Sequence, residues 1–211
     1  AGGVSPAARR LGLAKSIEAR YRRLGQYVPE GSKAGAAAAA VYVTHRVLPL
    51  DHAHFGNLPK LTVLAAEAFH ARAERFASEL ADVVHACVPF APDSNLVCLA
   101  LNPAGNRDIA RANAFARRLH EELRCDPHRP LQVKEFFGSM TTLRPDALGA
   151  AELHRVAAQL QLDPTSFHAT ADRLVILRHT LMNPYLIDRE NGISYIDRYF
   201  DYLATLVGAL A

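Results

Sequence analysis

Leu174-Val175-Ile176-Leu177-Arg178-His179-Thr180-Leu181-Met182, ended by Asn183-Pro184, is the most strand-like run in the chain. Large and β-branched side chains fill its first four positions, and the proline beyond its end cannot donate to a strand ladder. Downstream, Ile193, Ile196, Phe200, Leu203, Val207 and Leu210 recur at helical spacing in a near-heptad stripe, which predicts a last helix over Asn191 to Ala211. Upstream, Val83 to Val88 and Asn95 to Leu101 read as two strands joined by a turn around Pro89 and Pro92. Asn102-Pro103-Ala104-Gly105-Asn106 is a turn by composition, and Arg107 to Leu123 returns to helix with Ile109, Ala112, Ala116, Leu119 and Leu123 on one face. Leu131 to Thr142 is expected as a strand and Ala147 to Gln159 as a helix.

The first part of the chain has no strand signal. Ala7 to Gln26 reads as a basic helix bearing Arg9, Arg10, Arg20, Arg22 and Arg23, and Pro29-Glu30-Gly31-Ser32 breaks it. An alanine-rich helix follows from about Lys33 to Val47, stopped by Pro49; its small side chains suit close packing, so it is expected to be buried. Leu58, Leu61, Ala65, Phe69, Phe76, Leu80 and Val83 then mark one long amphipathic helix. The pattern as a whole predicts an α/β lobe of the α+β kind: a small sheet with helices packed on one face, preceded by a helical segment.

Composition narrows the function classes. The 211 residues are 50% hydrophobic and 21% charged, with a net charge of +3. That is ordinary for a globular protein and too weakly basic to argue for nucleic acid. The longest apolar stretch, Ala34 to Val43, is about half of what a bilayer span needs. No secretory leader is expected, and Cys87, Cys98 and Cys125 form no CxxC pair, so a cytoplasmic protein without a disulfide framework is the default.

Among the ten histidines the tightest group is His45, His52 and His54 with Asp51, but neighbouring loop residues supply only part of a metal's ligands, and a polar loop closing a helix is the preferred reading. There is no GxSxG element. Gly138-Ser139-Met140-Thr141-Thr142 is a polar strand end that either lines a cleft or satisfies its hydroxyls on backbone. Ser32, just ahead of the alanine-rich helix, suits an N-cap worth about 1 kcal/mol, and the same geometry presents amides to a phosphate. Arg178, at the end of the apolar run, either grips a ligand carboxylate or pairs with an acidic residue nearby.

Two stretches carry a resemblance. Glu30-Gly31-Ser32-Lys33-Ala34-Gly35-Ala36, with Thr44-His45-Arg46-Val47-Leu48-Pro49-Leu50 and Gly56, is similar to a segment of the bacterial tyrosine decarboxylases. Val175-Ile176-Leu177-Arg178 with Met182-Asn183-Pro184-Tyr185 resembles another segment of the same family, at the right distance. The resemblance runs from about residue 27 to the C-terminus. It implies the C-terminal part of a fold-type-I, pyridoxal-phosphate-dependent amino-acid decarboxylase. A helical segment over residues 1–57 would lead from the large cofactor domain into a smaller domain over 58–211.

By the same resemblance Gly31 and Ser32 would meet the cofactor phosphate of a neighbouring subunit, and Arg178, Ser139 and Thr141 would lie near the substrate. The family carries a histidine where this chain has Met140. The resemblance further implies a homodimer with its active site at the interface and an aromatic amino acid as substrate, with glutamate second. The family's Schiff-base lysine follows a histidine, whereas Lys15, Lys33, Lys60 and Lys134 do not, so no catalytic residue is assigned and the chain alone is expected to be inactive. A carbon–carbon lyase resembling sphingosine phosphate lyase and a non-catalytic dimerisation or regulatory module are the alternatives.

Overall fold

A computed structural model describes residues 35–126, 128, 130, 134–166 and 173–211. The basic stretch Ala7 to Gln26, the Gly31–Ser32 motif and Leu131 to Val133 lie outside the described residues. The chain divides into two units, residues 1–50 and 51–211. In the first, helix α1 spans Gly35–Val47. Leu48 closes it with an N–H to the Thr44 carbonyl at 2.7 Å, and Pro49 disfavours a helical conformation at the residue before it. The expectation of burial is corrected: no residue of α1 is buried, and Tyr42 and Val47 are 66% and 78% exposed. Alanine supports a helix by propensity alone, so the small side chains do not by themselves imply a packed partner.

The second unit opens on a tight turn. The Asp51 carboxylate accepts from the N–H groups of Ala53 and His54 at 2.9 and 3.0 Å, and from His54 Nδ1 at 2.8 Å. The Asp51 carbonyl accepts from Gly56 N–H at 2.8 Å. A Cβ on Gly56 would stand 2.6 Å from that carbonyl oxygen, so only glycine fits the turn. Helix α2, Asn57–Glu79, follows and buries Ala65, Ala66, Phe69, Ala73 and Phe76 along one stripe. It ends before Val83 because the N–H groups of Val83 and Val84 both turn back to the Leu80 carbonyl.

Strands β1 (Val84–Cys87), β2 (Leu96–Pro103), β3 (Ser139–Leu143) and β4 (Leu174–Thr180) form one antiparallel sheet in the order β1-β2-β4-β3. Helix α3, Ile109–Leu123, is capped by the Asp108 carboxylate and carries the chain from β2 towards β3. Of the strand expected over Leu131 to Thr142, the described part, residues 134–142, is strand only from Ser139, where Gly138 N–H is taken by the Leu123 carbonyl at 2.9 Å. The helix expected over Ala147 to Gln159 is split into α4 (Pro145–Leu148) and α5 (Ala150–Gln159) by Gly149, which has φ +83°. The last helix, α6, spans Tyr195–Leu210; Ile193–Ser194, expected as part of it, instead forms β6 and pairs with β5 (Ile187–Asp188). Ser194 Oγ then caps α6 by accepting from Asp197 N–H at 3.1 Å.

Successive residues of β2 serve two apolar clusters, as a pleated strand requires. Val97, Leu99 and Leu101 pack with residues of α2, α3 and α6, among them Phe69, Phe76, Leu119, Phe200 and Leu203. Ala100 packs with Ile176 of β4 and with Leu153, Val156 and Leu160 of α5 and its end. The small sheet with flanking helices is therefore as the sequence predicts, with α5 closing a second cluster of its own. Arg72 locks α2 to α6: its guanidinium reaches Glu79, Asp197 and Asp201 at 3.0, 3.3 and 3.5 Å and stands 5.3 Å above the Phe200 ring.

Candidate functional site

A cleft of about 380 Å³ opens where the end of β4 meets the Phe136–Ser139 segment and the start of α6. This volume lies within the range of small-molecule sites. Antiparallel register places Ser139 directly opposite Arg178. Ser139 Oγ donates to the Arg178 carbonyl at 3.0 Å and accepts from Arg178 Nε at 3.2 Å. Two residues singled out separately in the sequence are thus cross-strand neighbours on the rim of one cleft. Arg178 is exposed, and among the described residues no carboxylate pairs with it; its side chain leaves β4 on the face that carries Ile176, opposite that of His179. Thr141 is half-buried, faces Ile176 across the ladder and does not line the cleft. Gly31 and Ser32 lie outside the described residues.

The inner wall was not anticipated from sequence. His179, the next residue of β4, and Tyr199, on the first turns of α6, both line the cleft and are 9% and 6% exposed. His179 Nε2 and the Tyr199 hydroxyl are 2.6 Å apart, and His179 Nδ1 is 3.3 Å from the Val97 carbonyl. A carbonyl only accepts, so Nδ1 carries the proton, Nε2 is bare, and the tyrosine hydroxyl donates to it. Burial holds the imidazole neutral, with its pKa pushed down to about 4, and pushes the Tyr199 phenol up. Around the pair stand Phe69, centred 4.6 Å from the His179 ring, and Phe136, edge-on at 5.5 Å from Tyr199. The cleft therefore has an aromatic, uncharged inner wall, with Ser139 and Arg178 among the residues at its rim. The stripe that predicted α6 contained Ile196 and Phe200 but gave no sign that Tyr199 meets a histidine of the strand.

Other candidate chemistry recedes. Burial pushes the pKa of the Cys87 thiol up to about 12 and also shifts that of Cys98 upward, which keeps both protonated and poorly nucleophilic. Asp51 and His54 satisfy each other, and among the described residues no group of three or more His, Cys, Asp or Glu is arranged to hold a metal ion. No helix among the described residues is long and apolar enough to cross a membrane. Lys60 lines a separate hollow of about 760 Å³, and Lys134 donates its ammonium to the Glu122 carbonyl; neither borders the cleft.

The family described as "Tyrosine decarboxylase, C-terminal" matches residues 65–205 of this chain. The L-tyrosine decarboxylase of Levilactobacillus brevis is 30% identical over 184 residues, 86% of this chain and 27% of that protein. That of Enterococcus faecalis is 29% identical over 175 residues, 82% of this chain and 27% of its own length. That of Enterococcus faecium is 28% identical over 180 residues, covering 85% and 28%. The chain thus spans about a quarter of the length of these curated relatives.

Proposed function

The chain belongs to the tyrosine decarboxylase C-terminal family, and on that premise we propose that it is the C-terminal part of a pyridoxal-phosphate-dependent L-amino-acid decarboxylase acting on an aromatic amino acid. Glutamate is the second choice of substrate. The supporting observation is the cleft: an aromatic wall of Phe69, Phe136 and Tyr199 lies within one site of the Arg178–Ser139 pair. The guanidinium, exposed and without a carboxylate partner among the described residues, would orient an acid group of the substrate. Ser139 would fix the direction of the guanidinium by accepting from Nε. Thr141 would act on the same face of the sheet as Ser139 and Arg178, opposite Ile176 in the ladder.

Pyridoxal 5′-phosphate supplies, when bound, the electron sink for loss of CO2. The described residues do not make a site for it by themselves, since no lysine among them borders the cleft. Gly31 and Ser32 would contribute amides and a hydroxyl to its phosphate across the interface of a homodimer. The protein would be cytoplasmic, and the 1–57 segment would join the lobe over 58–211 to the large cofactor domain.

The test is an intact-mass spectrum of the product of the full reading frame after addition of pyridoxal phosphate and borohydride reduction. A chain longer than these 211 residues that carries one reduced pyridoxyl group is the expected result. A product that takes up no pyridoxyl group would turn the reading towards a non-catalytic module.

A further inference from the structure

The hollow of about 760 Å³ lies between the first turns of α2 and the segment that forms β5, with Tyr195 of α6 beside them. Its lining carries large apolar side chains that the fold leaves uncovered: Leu64, Tyr185, Ile187 and Tyr195 are all exposed, Tyr185 by 70%. Single exposed apolar residues are ordinary, but several gathered around one hollow mark a ligand site. Two cations stand among them. Lys60 on α2 and Arg189 after β5 line the same hollow, are exposed, and pair with no carboxylate among the described residues.

The lining carboxylates do not cancel them. Asp188 spends its oxygens on its own turn, accepting from the N–H groups of Glu190 and Asn191, both at 3.1 Å, and from Asn191 Nδ2 at 2.7 Å. Among the described residues the Glu190 carboxylate has no partner, so one free negative charge faces two free positive ones. The Asp188 turn, and the Tyr195 N–H on the Leu186 carbonyl at 2.9 Å, fix this wall before any ligand arrives. A preformed wall lowers the ordering cost of binding.

We propose that this hollow is a second ligand site, separate from the cleft, for a small organic acid with one negative charge and a flat apolar body. The body lies against Leu64 and the two tyrosines. Lys60 and Arg189, from opposite walls, share the acid group, one as a point charge and the other as a planar fork. Glu190 offsets one of the two cations, so the site suits a monoanion better than a dianion. None of these residues has a part in the decarboxylase reading, and the proposal stands apart from it.

The test measures, by titration calorimetry on the full-length protein, the affinities of 2-naphthoate and of 2-naphthamide, which has nearly the same shape and no charge. Arg178 is the acid-binding candidate at the cleft, so the measurement is made on Arg178→Gln and repeated after adding Lys60→Gln and Arg189→Gln. In Arg178→Gln, naphthoate is expected to bind about tenfold tighter than naphthamide. The two added substitutions are expected to remove that preference and leave the naphthamide affinity unchanged. All three positions are exposed, so the fold is retained. Tyr185→Ala in place of the charge substitutions is expected to weaken both probes alike, because the ring it removes carries no charge. A preference that is already absent in Arg178→Gln, or that survives the loss of both Lys60 and Arg189, overturns the proposal.

Discussion

Behind the sheet, where α5 closes its cluster, buried amides tie backbone to backbone: Asn102 Nδ2 donates to the carbonyls of Asn106 and Leu160, both at 2.8 Å, and Asn106 returns a bond to Asn102 Oδ1 at 2.7 Å. In front, where α2 and α6 cover the sheet, His179 and Tyr199 bond to each other on the wall of a cleft. Each region buries polar groups with partners, as a stable interior requires. The rear network fixes the turn after β2 and the end of α5, which is architecture. The front pair joins one strand to one helix in the aromatic cluster behind the cleft wall. The difference separates polar residues that hold the fold from those that shape a site.

That contrast can be broken most strongly at Phe200, which is fully buried and packs 4.8 Å from Phe69 and 5.5 Å from Tyr199, ring centre to ring centre. Phe200→Ala is expected to cost about 4 kcal/mol in a denaturant titration and to disorder the front wall, because stability and site share that ring. Acidification comes next. His179 has its folded-state pKa depressed to about 4 from 6.5, so the unfolded chain binds the extra proton first. Its contribution is intact above pH 6.5 and is lost as pH falls towards 4, by roughly 3 kcal/mol over the window. A stability-against-pH curve should therefore flatten in His179→Gln, and an unchanged slope would show that another group controls the acid side.

Asn102→Ala sharpens the contrast from behind. It is expected to cost about 2 kcal/mol by stripping partners from the Asn106 and Leu160 carbonyls and from the Asn106 amide. Ligand binding in the cleft should not move; a shift would mean that the two regions are coupled. The smallest effect belongs to Tyr199→Phe, about 1 kcal/mol of stability by thermal melting.

Much of the frame was legible because it rests on local periodicity. The apolar run from Leu174, the hairpin around Pro89–Pro92 and the stripe ending at Leu210 each lie within one element, and each element formed. Element ends were less legible because long-range partners set them: Gly138 N–H on the Leu123 carbonyl delays β3, and pairing of Ile187 with Ser194 delays α6. Ser139 and Arg178 were each visible as polar residues at strand ends, but their contact spans 39 positions and follows from register. The His179–Tyr199 bond needed the docking of α6 on β4, which no spacing in the sequence encodes. Exposure of α1 was misjudged for a related reason, since alanine content reports helix propensity and not what covers the helix.

The central claim is most directly tested by supplying the full-length enzyme, loaded with pyridoxal phosphate, with tyrosine labelled at its carboxyl carbon. The account predicts labelled CO2 released in step with the amine. Retention of the label by every aromatic amino acid tried would contradict it.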